Sequence, residues 1–253
     1  MSAPSPSGAN ERTHRASALV VIPAYNEEDA LPETLAELGA IRPDLDVVVV
    51  SDGSIDKTAA LARAAGVHVI ELPFNLGIGG ALQAGFRYAG REGYDRAFQF
   101  DADGQHDPRE LAALESALEA GANLVIGSRF GDGVVEYKVG PVRRLAMRML
   151  GWSVNRLCRQ RFTDTSSGFR GFDAKMLHYF SRSYPVEFMD STESLLLASF
   201  SGFRVAEVPT RIRERTAGQP STRNVRLVLN YLRLVVVIVS HLTRPRRNRR
   251  EYS

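Results

Sequence analysis

The 253-residue chain has a single cysteine, Cys158, which excludes an internal disulfide and a cysteine-rich zinc site. Cys158 falls in a helical apolar pattern and reads as a small core residue. Tryptophan is just as scarce, with Trp152 alone. No window approaches the roughly eighteen continuous apolar residues that a membrane-spanning helix needs, so the chain is expected to stay on the cytoplasmic side. Residues 1–17, rich in Ser, Pro, Ala and Arg, lack any apolar stretch and read as a mobile tail rather than a signal peptide. Acids are almost missing from one end: from Arg211 to Arg250 there are eleven arginines and only Glu214 to oppose them. The whole chain is only +3, so the remainder is acidic. A basic end on an acidic body suits an anionic surface, either membrane or nucleic acid.

Short apolar runs alternate with helical patterns through the first half. Ala18 to Pro23 reads as a buried strand, followed by a helix over Glu27 to Ala40. Asp46 to Ser51, with four valines in a row, reads as a strand buried on both faces. Asp56 caps a helix to Ala65, and Val67 to Leu72 is the third strand. The glycine-rich loop Pro73 to Gly80 leads into a helix ending near Gly90, then Arg96 to Phe100 is the fourth strand. Asp107-Pro108 with Glu110 marks a helix start, and Ala122 to Gly127 is the fifth strand. This alternation predicts an α/β fold with a parallel sheet covered on both faces, and a ligand site at the carboxyl ends of its strands. Beyond it, the pattern predicts a helix over 141–160 with Trp152 on its apolar face, a strand from Ser167 to Phe172, a helix from Ser191 to Ser201 and a strand from Phe203 to Ile212.

The most informative stretch is Asp101-Ala102-Asp103-Gly104-Gln105 at the end of the fourth strand. Two carboxylates one residue apart suit a hard cation, Mg²⁺ or Mn²⁺, whose remaining positions phosphate oxygens fill. Alone, Asp-x-Asp is also an ordinary turn. Other strand ends carry polar groups too. Tyr25 offers a ring face and Glu27 an acceptor for a base or ribose, although both also suit a turn with a helix-capping acid. Asp52, in Ser51-Asp52-Gly53-Ser54, could take an imide N–H or a ribose hydroxyl, or simply form an Asp-Gly turn. Asn75-Leu76-Gly77-Ile78-Gly79-Gly80 lets backbone approach a ligand, but its glycine spacing is not that of a dinucleotide fingerprint. His106 reads as a polar turn residue, and Arg170 as either an acceptor-phosphate ligand or a surface or ion-paired arginine.

Taken together, PAYNEE, SDGS, NLGIGGALQAGF, QFDADGQHDP, GSRF, TDTSSGFRGF and VAEVPTRIRERTAG resemble family 2 glycosyltransferases of the GT-A fold over about residues 18 to 222. Within that family the chain looks most like polyprenyl-phosphate sugar synthases, the group of dolichyl-phosphate mannose synthase. The resemblance implies a Rossmann-like, mostly parallel sheet flanked by helices, acting as a metal-dependent inverting hexosyltransferase. It implies that Pro23, Tyr25, Glu27, Val50 and Asp52 hold the nucleoside of a nucleotide diphosphate sugar. Asp101, Ala102 and Asp103 would hold the diphosphate through Mg²⁺ or Mn²⁺, with Gln105 as a further ligand. Arg129 and Arg215 match basic positions near the diphosphate and the acceptor phosphate; with Asp103, and with Arg170 on its phosphate-binding reading, they are the residues expected to act in catalysis. Two departures stand out. Ser51 replaces the first of two acids often found there, and Gly218-Gln219-Pro220-Ser221 has an extra residue, with Arg223 the nearest cation. The second departure favours a UDP-sugar over GDP-mannose.

Residues 223–253 complete the plan, with an apolar helix from Val225 to Leu242 and a tail carrying Arg244, Arg246, Arg247, Arg249 and Arg250. An amphipathic helix with flanking arginines suits an anionic bilayer, where polyprenyl phosphate resides. The expected partners are therefore the donor sugar, polyprenyl phosphate, the membrane surface and, by resemblance, a small membrane protein. Nucleic acid is not expected, because it would leave the acidic strand-end cluster unexplained. A sugar hydroxyl acceptor would require a general base, for which Asp164, Asp190 and Glu193 are candidates. A sugar-phosphate nucleotidyltransferase would need a basic, glycine-rich loop after the first strand, where Ala24-Tyr25-Asn26-Glu27 stands instead.

Overall fold

The computed structural model describes residues 17–130, 151–185 and 190–213. Leu19, Val20, Val21 and Ile22 have no exposed surface because β1 (Ala18–Ala24) lies inside the sheet and buries both faces. The order continues through α1 (Leu31–Ile41), β2 (Asp46–Asp52), α2 (Thr58–Ala64), β3 (His68–Leu72), α3 (Ile78–Glu92) and β4 (Arg96–Gln99). A 3₁₀ turn at Pro108–Glu110 runs into α4 (Leu111–Glu119), then β5 (Leu124–Ser128). Residues 151–158 are helical (α5), followed by β6 (Arg170–Asp173), α6 (Ala174–Ser183), α7 (Asp190–Phe200) and β7 (Val205–Pro209).

The seven strands form one sheet in the order β3-β2-β1-β4-β6-β5-β7. All neighbouring pairs are parallel except those of β6, which runs against both β4 and β5. Alternate residues of each strand feed opposite layers. Val21, Val48 and Phe172 pack on one face with Phe86 of α3 and Phe180 of α6. Val20, Ile22 and Phe98 pack on the other with Leu31 and Leu35 of α1 and Leu111 of α4. The carboxyl ends of β1, β2, β3, β4, β5 and β7 share one edge, and the start of β6 joins them there.

Several details differ from the sequence reading. Ser17 belongs to the fold rather than the tail, because its N–H donates to Asp95 Oδ2 at 2.9 Å and its carbonyl accepts from Asp95 N. Helix α1 starts at Leu31, not Glu27, because the preceding turn is tied sideways: the amides of Glu27 and Glu28 donate to Thr58 Oγ1 and Asp56 Oδ2. Trp152 is not on the apolar face of α5 but 70 % exposed. Val154, Leu157 and Cys158 form the packed stripe, and a residue two positions before Val154 points the opposite way at about 100° per residue. Helix α6 is an element beyond those the sequence pattern predicts: Asp173 caps it by accepting from Met176 N at 2.8 Å, and Met176, Leu177 and Phe180 give it a buried face. The tail 1–16, Arg215, the 218–223 departure and the helix of 225–242 lie outside the described residues. Among the described residues no helix is long and apolar enough to cross a membrane.

Candidate active site

The loops after β1 and β2 are laced together. Asn26, held at a positive φ of 54°, accepts from Ile55 N through Oδ1 at 3.0 Å, while its own amide donates to Ser54 Oγ at 3.2 Å. Asp52 is buried, and its Oδ1 accepts from Leu76 N at 2.7 Å, which pins the glycine-rich loop to the end of β2. Gly53 makes that contact feasible. It has φ +67°, and a Cβ there would lie 2.5 Å from Asn75 N. Burial raises the Asp52 pKa, only partly opposed by the amides of Leu76 and Gly77. Around this crevice Pro23 and Glu27 are half-buried, Val50 is fully buried at the adjoining register position, and Tyr25 is 49 % exposed. A groove of about 560 Å³ between β3 and α3, with Leu72, Leu76 and Tyr88 in its lining, adjoins the crevice through Leu76 but otherwise lies on the outer face.

The aspartate pair sits after β4 in a closed turn. Asp103 is buried and its Oδ1 accepts from Gln105 N at 3.1 Å, while Ala102 O accepts from Thr34 Oγ1 at 2.9 Å. Asp101 keeps 31 % of its side chain exposed. The Gln105 amide nitrogen donates to Arg213 O at 3.4 Å, which leaves its oxygen as the atom for a cation. Two carboxylates and one amide oxygen are a sparse but fitting oxygen set for Mg²⁺ or Mn²⁺, which take their other ligands from phosphates and water. Among the described residues there is no group of three or more His, Cys, Asp or Glu side chains that could hold a metal. Gly168 keeps the space open: a Cβ there would stand 3.2 Å from Asp101 Oδ2.

Arg213 is a site neighbour that sequence reasoning missed. Its guanidinium reaches Glu37 at 2.8 Å and Asp107 at 2.7 Å, and its amide donates to Gln105 O at 2.9 Å. With the bridge between His106 and Ile212, it fastens the strand end after β7 to the aspartate turn. Its sequence signal is only a basic residue beside Arg215. His106, expected as a polar turn residue, is buried between Phe100 and Phe169. Burial drives its pKa down to about 4, so the ring is neutral.

On the far side of the edge, Arg129 grips Asp164 in a two-pronged pair, Nε to Oδ2 at 2.6 Å and a second nitrogen to Oδ1 at 2.8 Å, and also donates to Ser166 Oγ. Burial alone would raise the Asp164 pKa, but the hydrogen bonds and charge of Arg129 outweigh it and the pKa is lowered. Arg170 starts β6 and has no exposed surface. Its Nε donates to Ser167 O at 2.8 Å and a terminal nitrogen to Ser194 Oγ at 2.7 Å. The reading of Arg170 as a surface arginine is therefore corrected, because β6 lies between two strands with α7 over it. Gln99, opposite Arg170 in the sheet, is also fully buried, and neither of its amide atoms has a hydrogen-bond partner among the described residues.

Residues 19–180 match the family model Glycosyl transferase family 2. The chain is a family 2 glycosyltransferase. This glycosyltransferase is 35% identical over 218 residues to the polyprenol monophosphomannose synthase of Mycolicibacterium smegmatis, a match covering 79% of this chain and 78% of that one. It is equally 35% identical over 218 residues to the undecaprenyl-phosphate mannosyltransferase of Micrococcus luteus, covering 79% and 85%. Its fold is shared with glucosyl-3-phosphoglycerate synthase from Mycobacterium tuberculosis, solved with Mn²⁺, UDP and phosphoglyceric acid. That superposition has a TM-score of 0.69 at 20% identity, over 91% of this chain and 80% of the other. The glycosyltransferase thus has the GT-A fold, with one antiparallel strand set into a parallel sheet.

Proposed function

We propose that this enzyme transfers a hexosyl group, with inversion, from a nucleotide diphosphate sugar to polyprenyl phosphate. The observation that carries the reading is the single edge on which the Tyr25–Glu27 turn, Asp52, the Asp101–Gln105 turn and Arg129 converge, in a chain whose relatives are named for polyprenyl-phosphate sugar transfer. Pro23, Tyr25, Glu27, Val50 and Asp52 would enclose the nucleoside. Asp101, Asp103 and Gln105 would hold Mg²⁺ or Mn²⁺ beside the Ala102 backbone. When bound, that cation would neutralise the charge that grows on the departing diphosphate. Arg129 would add to this stabilisation from the β5 end, and Arg215 would meet the acceptor phosphate. Arg170, being enclosed, would support the site by bracing Ser167 against α7.

The state of Asp164 favours a phosphate acceptor over a sugar hydroxyl. A carboxylate clasped by Arg129 and held below its ordinary pKa is a poor proton acceptor. A lipid phosphate has its second pKa near about 6 and attacks as an anion without a strong base. The sequence departure near residue 219 favours a UDP-sugar, whereas both relatives' names carry mannose and favour GDP-mannose. A screen of UDP-hexoses and GDP-mannose against polyprenyl phosphate and against sugar acceptors tests the whole reading. A polyprenyl-phosphate sugar from one donor is the expected product, and transfer only to sugar hydroxyls would overturn it. The basic residues 244–250 would hold the protein on the cytoplasmic face of an anionic membrane at about 1 kcal/mol per arginine. Truncation after Asn224 should then stop flotation with anionic liposomes, and unchanged flotation would reject that attachment.

A further inference from the structure

Asp101 is a partly exposed side chain, and a cation ligand of that kind must be aimed. The surroundings of His106 do that aiming. The Asp101 amide donates to His106 Nδ1 at 3.0 Å, so the ring hydrogen sits on Nε2, which faces Asp101 Oδ2 at 3.6 Å. The ring thus holds the Asp101 backbone by a hydrogen bond, while its Nε2 lies just beyond hydrogen-bond length of the carboxylate. The ring itself has little freedom. Phe100 meets it edge-on with centroids 5.3 Å apart, and Phe169 lies against it at 4.7 Å. Its backbone is bridged to Ile212. The bare backbone of Gly168 leaves room for the carboxylate, since a Cβ there would stand 3.2 Å from Asp101 Oδ2.

From this geometry we infer that His106 is a positioning residue: an imidazole, fixed between Phe100 and Phe169, whose Nδ1 holds the Asp101 amide and so sets the direction of the Asp101 carboxylate for a divalent cation. The inference rests on the proposal that Asp101 and Asp103 hold that cation. It assigns the effect to the Nδ1 acceptor that holds the Asp101 backbone, not to ring packing, so two opposite substitutions separate the causes. His106→Phe keeps an aromatic ring and loses both nitrogens. His106→Asn keeps an acceptor near the Nδ1 position and loses the ring.

The readout is Mn²⁺ binding to the full chain in the presence of UDP or GDP, followed by the electron paramagnetic resonance of free Mn²⁺. Phe at position 106 should weaken Mn²⁺ binding about 10–100-fold, the usual cost of losing a group that orients a metal ligand. His106→Asn should stay within about threefold of wild type, and nucleotide binding without metal should be unchanged in both. Wild-type Mn²⁺ affinity in His106→Phe would overturn the inference. So would a loss in His106→Asn as large as in His106→Phe, or a His106→Phe protein that does not fold, since either would assign His106 to packing. Asp103→Ala serves as the reference. If it also binds Mn²⁺ normally, the cation site itself is misassigned, whereas a loss there with normal binding in His106→Phe rejects only the role of His106.

Discussion

Asp52 and Asp164 are both buried carboxylates in loops at the same edge of the sheet, 3% and 1% exposed, yet the two sides of the crevice treat them oppositely. At β2, Asp52 receives only backbone amides, and burial wins, so its pKa rises. Beside β5, Asp164 receives a guanidinium with two hydrogen bonds, and its pKa falls despite deeper burial. Peptide dipoles alone do not offset desolvation there, while a paired cation does. The β2 side therefore keeps a carboxylate whose environment a ligand can still change. On the β5 side the carboxylate is already held in an ion pair, and the amides of Thr163 and Asp164 are tied in turn to Glu207 of β7.

The sharpest contrast to this pair is Asp103, whose proposed task is neither loop tethering nor ion pairing. Asp103→Ala should cut turnover at least about 10³-fold with little loss of stability, by steady-state assay and thermal melting. Asp164→Ala should do the reverse and destabilise by roughly 2–3 kcal/mol. That lies between the roughly 3–5 expected for breaking a buried pair and the roughly 0–1 for an exposed one, since Arg129 keeps some exposure. The urea midpoint measures it, and an unchanged midpoint would erase the contrast. Asp52→Asn keeps an acceptor for Leu76 N and removes the buried charge, so stability should hold while nucleotide binding weakens by about 1–3 kcal/mol in calorimetry.

The smallest effect is in pH dependence, where the two carboxylates should leave opposite signs. Asp164 has a folded pKa below its ordinary 3.8, so its stabilisation is present above that value and lost as pH falls through the folded pKa. Asp52 has a folded pKa above 3.8, so its contribution is present below that value and lost as pH rises through the folded pKa. Urea midpoints from about pH 3 to about pH 6 should show the Asp164→Ala deficit shrinking toward acid and the Asp52→Asn difference growing away from it.

The first five strands and the edge that bears the site were legible because each strand is a local apolar run followed by a polar or glycine-containing turn. Asp107 was legible too as a helix cap, accepting from Arg109 N at 3.0 Å. What escaped depends on partners distant in sequence. The position of β6 between β4 and β5 is invisible in a four-residue strand, Arg-Gly-Phe-Asp. Arg213 finds Glu37 across 176 residues of separation. His106 looks like turn chemistry until Phe169 closes over it. Trp152 was misplaced because a long helix pattern does not say which stripe meets the sheet.

The placement of β6 also sets an order of events for a chain emerging from the ribosome. β3, β2, β1 and β4 are neighbours in space and complete by residue 99, so they can pair as soon as they are free. β5 is made next but has no partner in that group. It must wait for Arg170–Asp173 and then Val205–Pro209, so Leu124, Val125 and Ile126 gain both strand neighbours only after about a further third of the chain is made. Pulse-labelled hydrogen exchange during refolding should find amides of β1 and β2 protected before those of β5. Simultaneous protection would mean that the sheet closes in one step. If the order holds, the nascent enzyme has the loops after β1 and β2 in place well before Arg129 reaches Asp164, and a chaperone that shields one apolar strand would have its work at β5.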